Sequence, residues 1–287
     1  MPGVQDRVIV VTGAGGGLGR QYALTLAAEG ANVVVNDLGG ARDGTGAGSA
    51  MADHVVAEIR DAGGRAVANY DSVADSASAA GIIQTALDEF GAIHGVVSNA
   101  GILRDGTFHK MAFENWDAVL KVHLYGGYNV LRAAWPHFRE QSFGRVVVAT
   151  STSGLFGNFG QANYSAAKLG LVGLINTLAR EGAKYHIHAN AVAPVAATRM
   201  TEDILPPEVL EKLKPEFVAP VVAYLCTEES TDNGSVFVVG GGSVQRVALF
   251  ENEGPKFDNP PSVDEITAHW AQITDLSGAK QADFSLR

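Results

Sequence analysis

An α/β fold, built as a single doubly wound parallel sheet with helices on both faces, is predicted by three observations. Short apolar runs alternate with helix-period segments along the whole chain. The runs are apolar at every position instead of every second one, the pattern of strands buried on both faces. Most glycines fall between these segments, where sharp turns are needed. Composition agrees with this reading: 46% hydrophobic and 18% charged residues suit a compact enzyme-like chain. At 287 residues the chain can bury a large core in one domain.

The elements are read in order. The run Val8–Thr12 is the first strand, followed by a helix over Leu18–Glu29 that ends at Gly30. Ala31–Asp37 is the second strand, and the glycine-rich stretch Gly39–Ser49 is a loop. Helix Met51–Asp61, strand Arg65–Asn69, helix Asp75–Phe90 and strand Ile93–Ser98 follow. A long helix is expected over Glu114–Arg139, with Pro136 near its end, and then strand Gly144–Thr150. Helix Tyr164–Tyr185, strand Ile187–Ala193, helix Pro215–Cys226 and a last strand, Ser235–Val239, complete the sheet. Repeated β-α-β units of this kind give parallel pairing. Residues 1–245 are assigned to this domain and 246–287 to a C-terminal extension. In the extension, Ser262 and Glu265 have capping-box spacing, and Ile266, Trp270 and Ile273 share one helical face. A short helix there is expected to pack on the domain or on a neighbouring subunit.

Charge and cysteine content exclude some roles. A formal net charge of −10 argues against nucleic-acid binding, which needs clustered Lys and Arg. The single cysteine, Cys226, cannot form an internal disulfide and reads as buried packing. No signal-peptide pattern, membrane-length apolar run or metal site is seen, and the chain ends in Ser-Leu-Arg, which is not a peroxisomal address. A cytoplasmic protein is expected.

Thr12-Gly-Ala-Gly-Gly-Gly-Leu-Gly19 joins the first strand to the first helix. Glycines let the backbone turn sharply and approach a pyrophosphate, and the helix N-terminus adds free N–H donors and a favourable dipole. A glycine run is a weak signal alone, but strand–turn–helix is the context that supports dinucleotide binding. Asp37, at the end of the second strand, can accept hydrogen bonds from ribose hydroxyls and would repel a 2′-phosphate. Leu38 follows it, so no adjacent base neutralises that repulsion, although Arg42 in the loop could swing in. NAD is therefore favoured over NADP.

Tyr164 and Lys168 lie four apart and share a helix face. A tyrosine working as acid/base near neutrality must be tuned down by ~3 pH units from ~10, or ~4 kcal/mol, which a nearby ammonium and a positive nicotinamide ring can supply. Ser151 lies at the C-terminal end of the strand Gly144–Thr150, where open α/β sheets bind ligands. Its hydroxyl can donate to a substrate oxygen; Thr150 and Ser153 compete for that role. Asn99, in Ser98-Asn-Ala-Gly101, sits at the same sheet edge, either near the cofactor or capping backbone groups.

Together TGAGGGLG, SNAG, Ser151 and YSAAK resemble the short-chain dehydrogenase/reductase family, from about Arg7 to Gly242. The resemblance implies a Rossmann-type fold, a cofactor turn of Gly13, Gly17, Leu18 and Gly19, and catalysis by Ser151, Tyr164 and Lys168. Lys168 would also bind the nicotinamide ribose. Asp71 and Ser72 would lie beside the adenine, with Asn99, Ala100, Gly101, Val122, Pro194 and Thr198 along the cofactor. Two positions depart from the family pattern. His123 stands where an asparagine usually serves a proton relay, and Pro194-Val195 replaces Pro-Gly.

The stretches VVVNDLGG, NAGILRD and SGLFGNFGQANYSAAKLGL resemble one branch, the (3R)-hydroxyacyl-CoA dehydrogenase part of peroxisomal multifunctional β-oxidation enzymes and stand-alone actinobacterial relatives. This implies oxidation of a (3R)-3-hydroxyacyl-CoA with NAD, in fatty-acid β-oxidation. Phe156, Asn158, Phe159 and Met200 are pocket candidates. Leu155, Phe156 and Leu205 would equally suit a hydroxysteroid or another bulky alcohol. An acyl-carrier-protein reductase is disfavoured by Asp37, and a nucleotide-binding regulator without turnover by the intact trio. A homodimer or homotetramer is implied, and the apolar cover of helix Tyr164–Tyr185 on more than one face requires burial by sheet or subunit.

Overall fold

The computed structural model describes residues 3–196 and 212–282. The chain divides into two compact units, Met1–Gln245 and Arg246–Arg287.

In the first unit seven strands run β1 (Val8–Thr12), β2 (Asn32–Asn36), β3 (Arg65–Asn69), β4 (Gly95–Ser98), β5 (Gly144–Ala149), β6 (Ile187–Pro194) and β7 (Val236–Gly240). An eighth, β8 (Ser243–Val247), completes a sheet ordered β3-β2-β1-β4-β5-β6-β7-β8. The pairs from β3 through to β7 are parallel. Every residue of β1, β2, β4 and β5 is buried, which is why the middle of each is an unbroken apolar run instead of alternating. Expecting Ser235–Val239 to be the last strand was wrong. β8 follows through Gly241-Gly242, both at positive φ (56° and 80°), the pair a two-residue hairpin turn demands. Four of its five residues are exposed, so no apolar run announced it.

The helices are α1 (Gly17–Ala28), α2 (Ala50–Asp61), α3 (Ser76–Phe90), α4 (Phe113–Leu120), α5 (Gly126–Glu140), α6 (Thr152–Phe156), α7 (Ala162–Gly182) and α8 (Ala219–Leu225). Residues from α1, α2 and α8 share one core cluster with β1 and β2; α3, α5 and α7 pack together elsewhere on the sheet. Asp75 caps α3, its carboxylate accepting from the Ser78 N–H, and Gly91 ends it in the left-handed conformation. The single long helix expected over Glu114–Arg139 is a correction. One π-helical turn, Lys121–Tyr125, separates α4 from α5. Similarly, Pro215–Cys226 splits into a 3₁₀ turn, Pro215–Phe217, and the shorter α8.

The strand order reverses between β1 and β4. At that switch point the strand ends spread apart and leave a crevice at their C-terminal edge. Cys226 is buried, and burial pushes its thiol up to about 12, which makes it inert packing.

The second unit holds one helix, α9 (Val263–Thr274), and a two-stranded antiparallel pair, β9 (Phe250–Glu251) with β10 (Lys280–Gln281). The Ser262–Glu265 capping box is formed in both directions. Asn252 donates to the Gln272, Ile273 and Asp275 carbonyls and so closes the helix C-terminus. No residue of α9 is buried within the chain. Among the described residues no helix is long and apolar enough to cross a membrane.

Candidate functional site

The crevice at the switch point is a single cleft running from Asp37 past Gly13 to Lys168. Its floor begins where β1 ends. The buried Thr12 hydroxyl accepts from the Asn99 N–H (3.0 Å) and the Ala100 N–H (3.1 Å). The Asn99 side chain returns the tie by donating to the Thr12 and Gly13 carbonyls, at 3.2 Å each. Asn99 thus fastens β4 to the glycine turn while facing the cleft. Gly19 has to be glycine: a Cβ there would sit 2.0 Å from the Gly13 carbonyl oxygen. Gly16 caps α1 without any side-chain bond, so the first N–H groups of the helix stay available to an anion.

At the end of β2, Asp37 is half-buried, with one carboxylate oxygen accepting from the Gly15 N–H (2.8 Å) and the other from the Gly39 N–H (2.7 Å). Each oxygen keeps a second lone pair for a ribose hydroxyl. Asp71, expected beside the adenine, lines the cleft. Its carboxylate takes bonds from Asn69 (2.8 Å) and Ser78 (3.4 Å) and packs on Gly81 of α3. Asp71, Ser72, Ala100, Gly101, Val122 and Pro194 all line the cleft, as do Gly13, Gly17 and Leu18. Thr198, Met200 and Leu205 lie outside the described residues.

At the other end, β5 and α7 bring the trio together. Ser151 lies two residues past the end of β5 and caps α6, accepting from the Ser153 N–H at 3.1 Å. The competitor Thr150 is occupied instead: buried, it donates to the Lys168 carbonyl at 2.8 Å. Lys168 is 3% exposed, its Nζ donating to the Ala149 carbonyl at 2.5 Å and lying 5.6 Å from the Tyr164 ring centre. Burial alone pulls this ammonium down to about 7. Burial pushes the Tyr164 hydroxyl above its ordinary value; the Ser151 hydroxyl opposes that and the Asp105 carboxylate adds to it. The chain by itself therefore leaves Tyr164 protonated at neutral pH, and further positive charge must enter the site to ionise it.

Two buried residues beside the trio complete the arrangement. Asn163 was not foreseen from sequence. Fully buried, it donates to the Arg104 (2.9 Å) and Asn115 (3.2 Å) carbonyls and accepts from the Tyr164 N–H (2.8 Å), fixing the start of α7. The only signal was its place, a short amide side chain one position before Tyr164. His123 sits on the π turn, edge-on to the Tyr164 ring with centres 5.1 Å apart. Its ring presses on Gly101, where a Cβ would come within 2.2 Å of the imidazole. Nε2 lies 3.1 Å from the Ile102 nitrogen and 2.9 Å from the Ile102 oxygen, so either tautomer finds a partner, while Nδ1 is buried with none.

Burial, followed by the nearby Lys168 charge, lowers His123 to about 3. Between about pH 6.5 and 3 the unfolded chain binds a proton here that the folded chain refuses, so stability falls as pH falls through that range. His123→Asn should remove up to ~1.4 kcal/mol of acid destabilisation per pH unit. Urea midpoints between pH 7 and 4 check this, and parallel curves for the two proteins would refute it.

Residues 7–208 match the family model described as short chain dehydrogenase. The chain is 85% identical over 286 residues to the short-chain type dehydrogenase/reductase Rv0148 of Mycobacterium tuberculosis, with 100% of both chains covered. It is 39% identical over 260 residues to the hydroxyacyl-CoA dehydrogenase ChsB1 of the same organism, covering 85% of this chain and 80% of that one. Full-length peroxisomal multifunctional enzyme type 2 from Drosophila melanogaster matches with a TM-score of 0.82 at 42% identity, over 98% of this chain and 47% of that one. The chain therefore spans about half the length of that multifunctional relative.

Proposed function

The chain belongs to the short-chain dehydrogenase family and is an oxidoreductase, and from that premise we propose that it oxidises a (3R)-3-hydroxyacyl-CoA to the 3-oxoacyl-CoA with NAD. The observation that carries the chemistry is the presence of Tyr164 and Lys168 in the cleft lining, with Ser151 capping α6 just past the end of β5 and close enough to lower the Tyr164 hydroxyl. The preference for NAD is supported by the Asp37 carboxylate lining the opposite end. The thioester is supported by the likeness to ChsB1, which is named a hydroxyacyl-CoA dehydrogenase.

The residues present fit a dinucleotide: an uncapped helix N-terminus after a glycine turn, and beside it the Asp37 carboxylate at the end of β2. A bound oxidised nicotinamide nucleotide would accept the hydride from the carbinol carbon and bring positive charge to the site. Tyr164 as phenolate takes the proton from the substrate hydroxyl, so that the C–H and O–H bonds break as C=O forms. Ser151 orients that hydroxyl. Lys168, in its ammonium form, holds the phenolate and a ribose hydroxyl. His123, neutral across the working pH range, supports the Tyr164 ring while its Nε2 is held by the Ile102 backbone.

A hydroxysteroid or another bulky alcohol is the second reading, favoured by one observation. Phe156 and Phe159 stand 70% and 87% exposed on the segment just before α7, an apolar rim that a ring system would cover. The deciding assay is NADH formation by the purified protein, offered NAD or NADP with the (3R) thioester, its (3S) isomer and a hydroxysteroid. Rapid NAD-dependent turnover of the (3R) thioester alone is expected. Turnover with the steroid alone, or with none, would discard the thioester.

A further inference from the structure

Residues 39–48 form a folded strap. Gly48 donates to the Leu38 carbonyl (2.9 Å), Ala41 to Thr45 (2.7 Å) and Gly44 to Ala41 (2.9 Å). The Asp43 carboxylate takes both the Thr45 N–H (3.0 Å) and its hydroxyl (2.7 Å). The root of the strap is the Asp37–Gly39 bond, and its inner side walls the nucleotide end of the cleft.

The tip of the strap rests on residues 102–104. Leu103 donates to the Arg42 carbonyl at 3.0 Å, Ile102 packs beneath Gly44, and Arg104 Nε donates to the Asp43 carbonyl at 2.8 Å. The same short segment faces the reacting end. The Arg104 carbonyl accepts from Asn163, whose own oxygen holds the Tyr164 N–H. Next to it, Gln161 donates to the Asp105 carboxylate and Gly106 to the Gly160 carbonyl, both at 2.8 Å. Arg104 is thus the residue whose side chain holds the strap while its backbone holds the start of α7.

We propose that Arg104 is a positioning residue that couples the strap over the nucleotide's adenosine end to the wall around Tyr164, so that filling one end of the cleft orders the other. The proposal rests on the reading that the cleft takes a dinucleotide. Its physical content is a run of hydrogen bonds, Asp37–strap–Arg104–Asn163–Tyr164, in which the Arg104 and Asn163 side chains are the links. A ligand on Asp37 restrains the strap. The strap then restrains Arg104, and Arg104 restrains the loop bearing Asp105, Gly106 and Gln161.

Hydrogen exchange on the whole chain, with and without NAD, tests this. In the wild type NAD should slow the strap amides of Ala41, Gly44 and Gly48, and also those of Gly106 and Tyr164, by about fivefold or more. Arg104→Met keeps the stem but removes the donor. In it the strap should still be protected by NAD, while the added protection of Gly106 and Tyr164 disappears. Arg104→Lys, which keeps a donor, should restore part of it and serves if the Met variant does not fold. Equal NAD-dependent protection at Gly106 and Tyr164 in wild type and variant would overturn the coupling while leaving the nucleotide site intact. A wild-type strap unaffected by NAD or NADP would overturn the nucleotide reading itself, and the coupling with it.

Discussion

Tyr164→Phe lowers turnover by at least ~10²-fold, the low end for losing a general acid/base, and leaves NAD binding largely intact. The variant removes one oxygen and little else. Phe keeps the ring edge-on to His123 and the packing over Lys168, and the Asn163 tie is to the backbone N–H, which does not change. What is lost is the Tyr164 hydroxyl, the proposed acid/base group, beside the Ser151 hydroxyl that lowers it. The position of the proton explains the size. Burial raises this hydroxyl above its ordinary value, so the active form depends on positive charge arriving with the nucleotide and on a protonated Lys168. With Lys168 lowered to about 7 before nucleotide binds, that charge is itself scarce at alkaline pH until the site is filled. Steady-state rates and a fluorescence titration with NAD, on both proteins, make the measurement. A near-wild-type rate for the Phe variant would take Tyr164 out of the mechanism.

Where strands are buried on both faces, the sequence pattern and the structure coincide, because an unbroken apolar run has few other uses. Val8–Thr12 is a strand over those residues, every one of them buried. What escaped the pattern had no apolar signal or no length. β8 is exposed at four of five positions, and α6 is five residues long. The π turn at Lys121–Tyr125 was invisible for a different reason. One extra residue per turn leaves composition and approximate periodicity untouched, yet it turns His123 inward to Ile102 and Tyr164.

The site divides in the same way. The glycine turn, Asp37 and the spacing of Ser151, Tyr164 and Lys168 were legible because chemistry restricts which residue types can stand there. The contacts of Asn163 and Arg104 were not, since each bonds to a backbone group about sixty residues away in sequence. The resemblance placed Asp71 by the adenine, and Asp71 lines the cleft, its carboxylate joined to Asn69 and Ser78, the neighbouring polar side chains of β3 and α3.

Asp37→Ala is expected to reduce the preference for NAD over NADP by at least ~10²-fold, with two separate causes. Loss of a charged acceptor for the ribose costs NAD binding about 1.5–3 kcal/mol, or roughly ten- to a hundredfold. Removing the carboxylate also lifts the short-range repulsion of a 2′-phosphate, which improves NADP. The structure adds a complication, because the same carboxylate staples Gly15 and Gly39. Alanine therefore also loosens the glycine turn and the root of the strap, which would weaken both nucleotides alike. Asp37→Asn separates the effects: it is neutral but still offers an oxygen to one of the two N–H groups. If charge decides the choice, kcat/KM for NADP rises in the Asn variant while kcat with saturating NAD stays within a few-fold of wild type. If both variants lose NAD and NADP efficiency in equal proportion, Asp37 is a staple of the turn, and the nucleotide choice has to be sought among Arg42 and the rest of the strap.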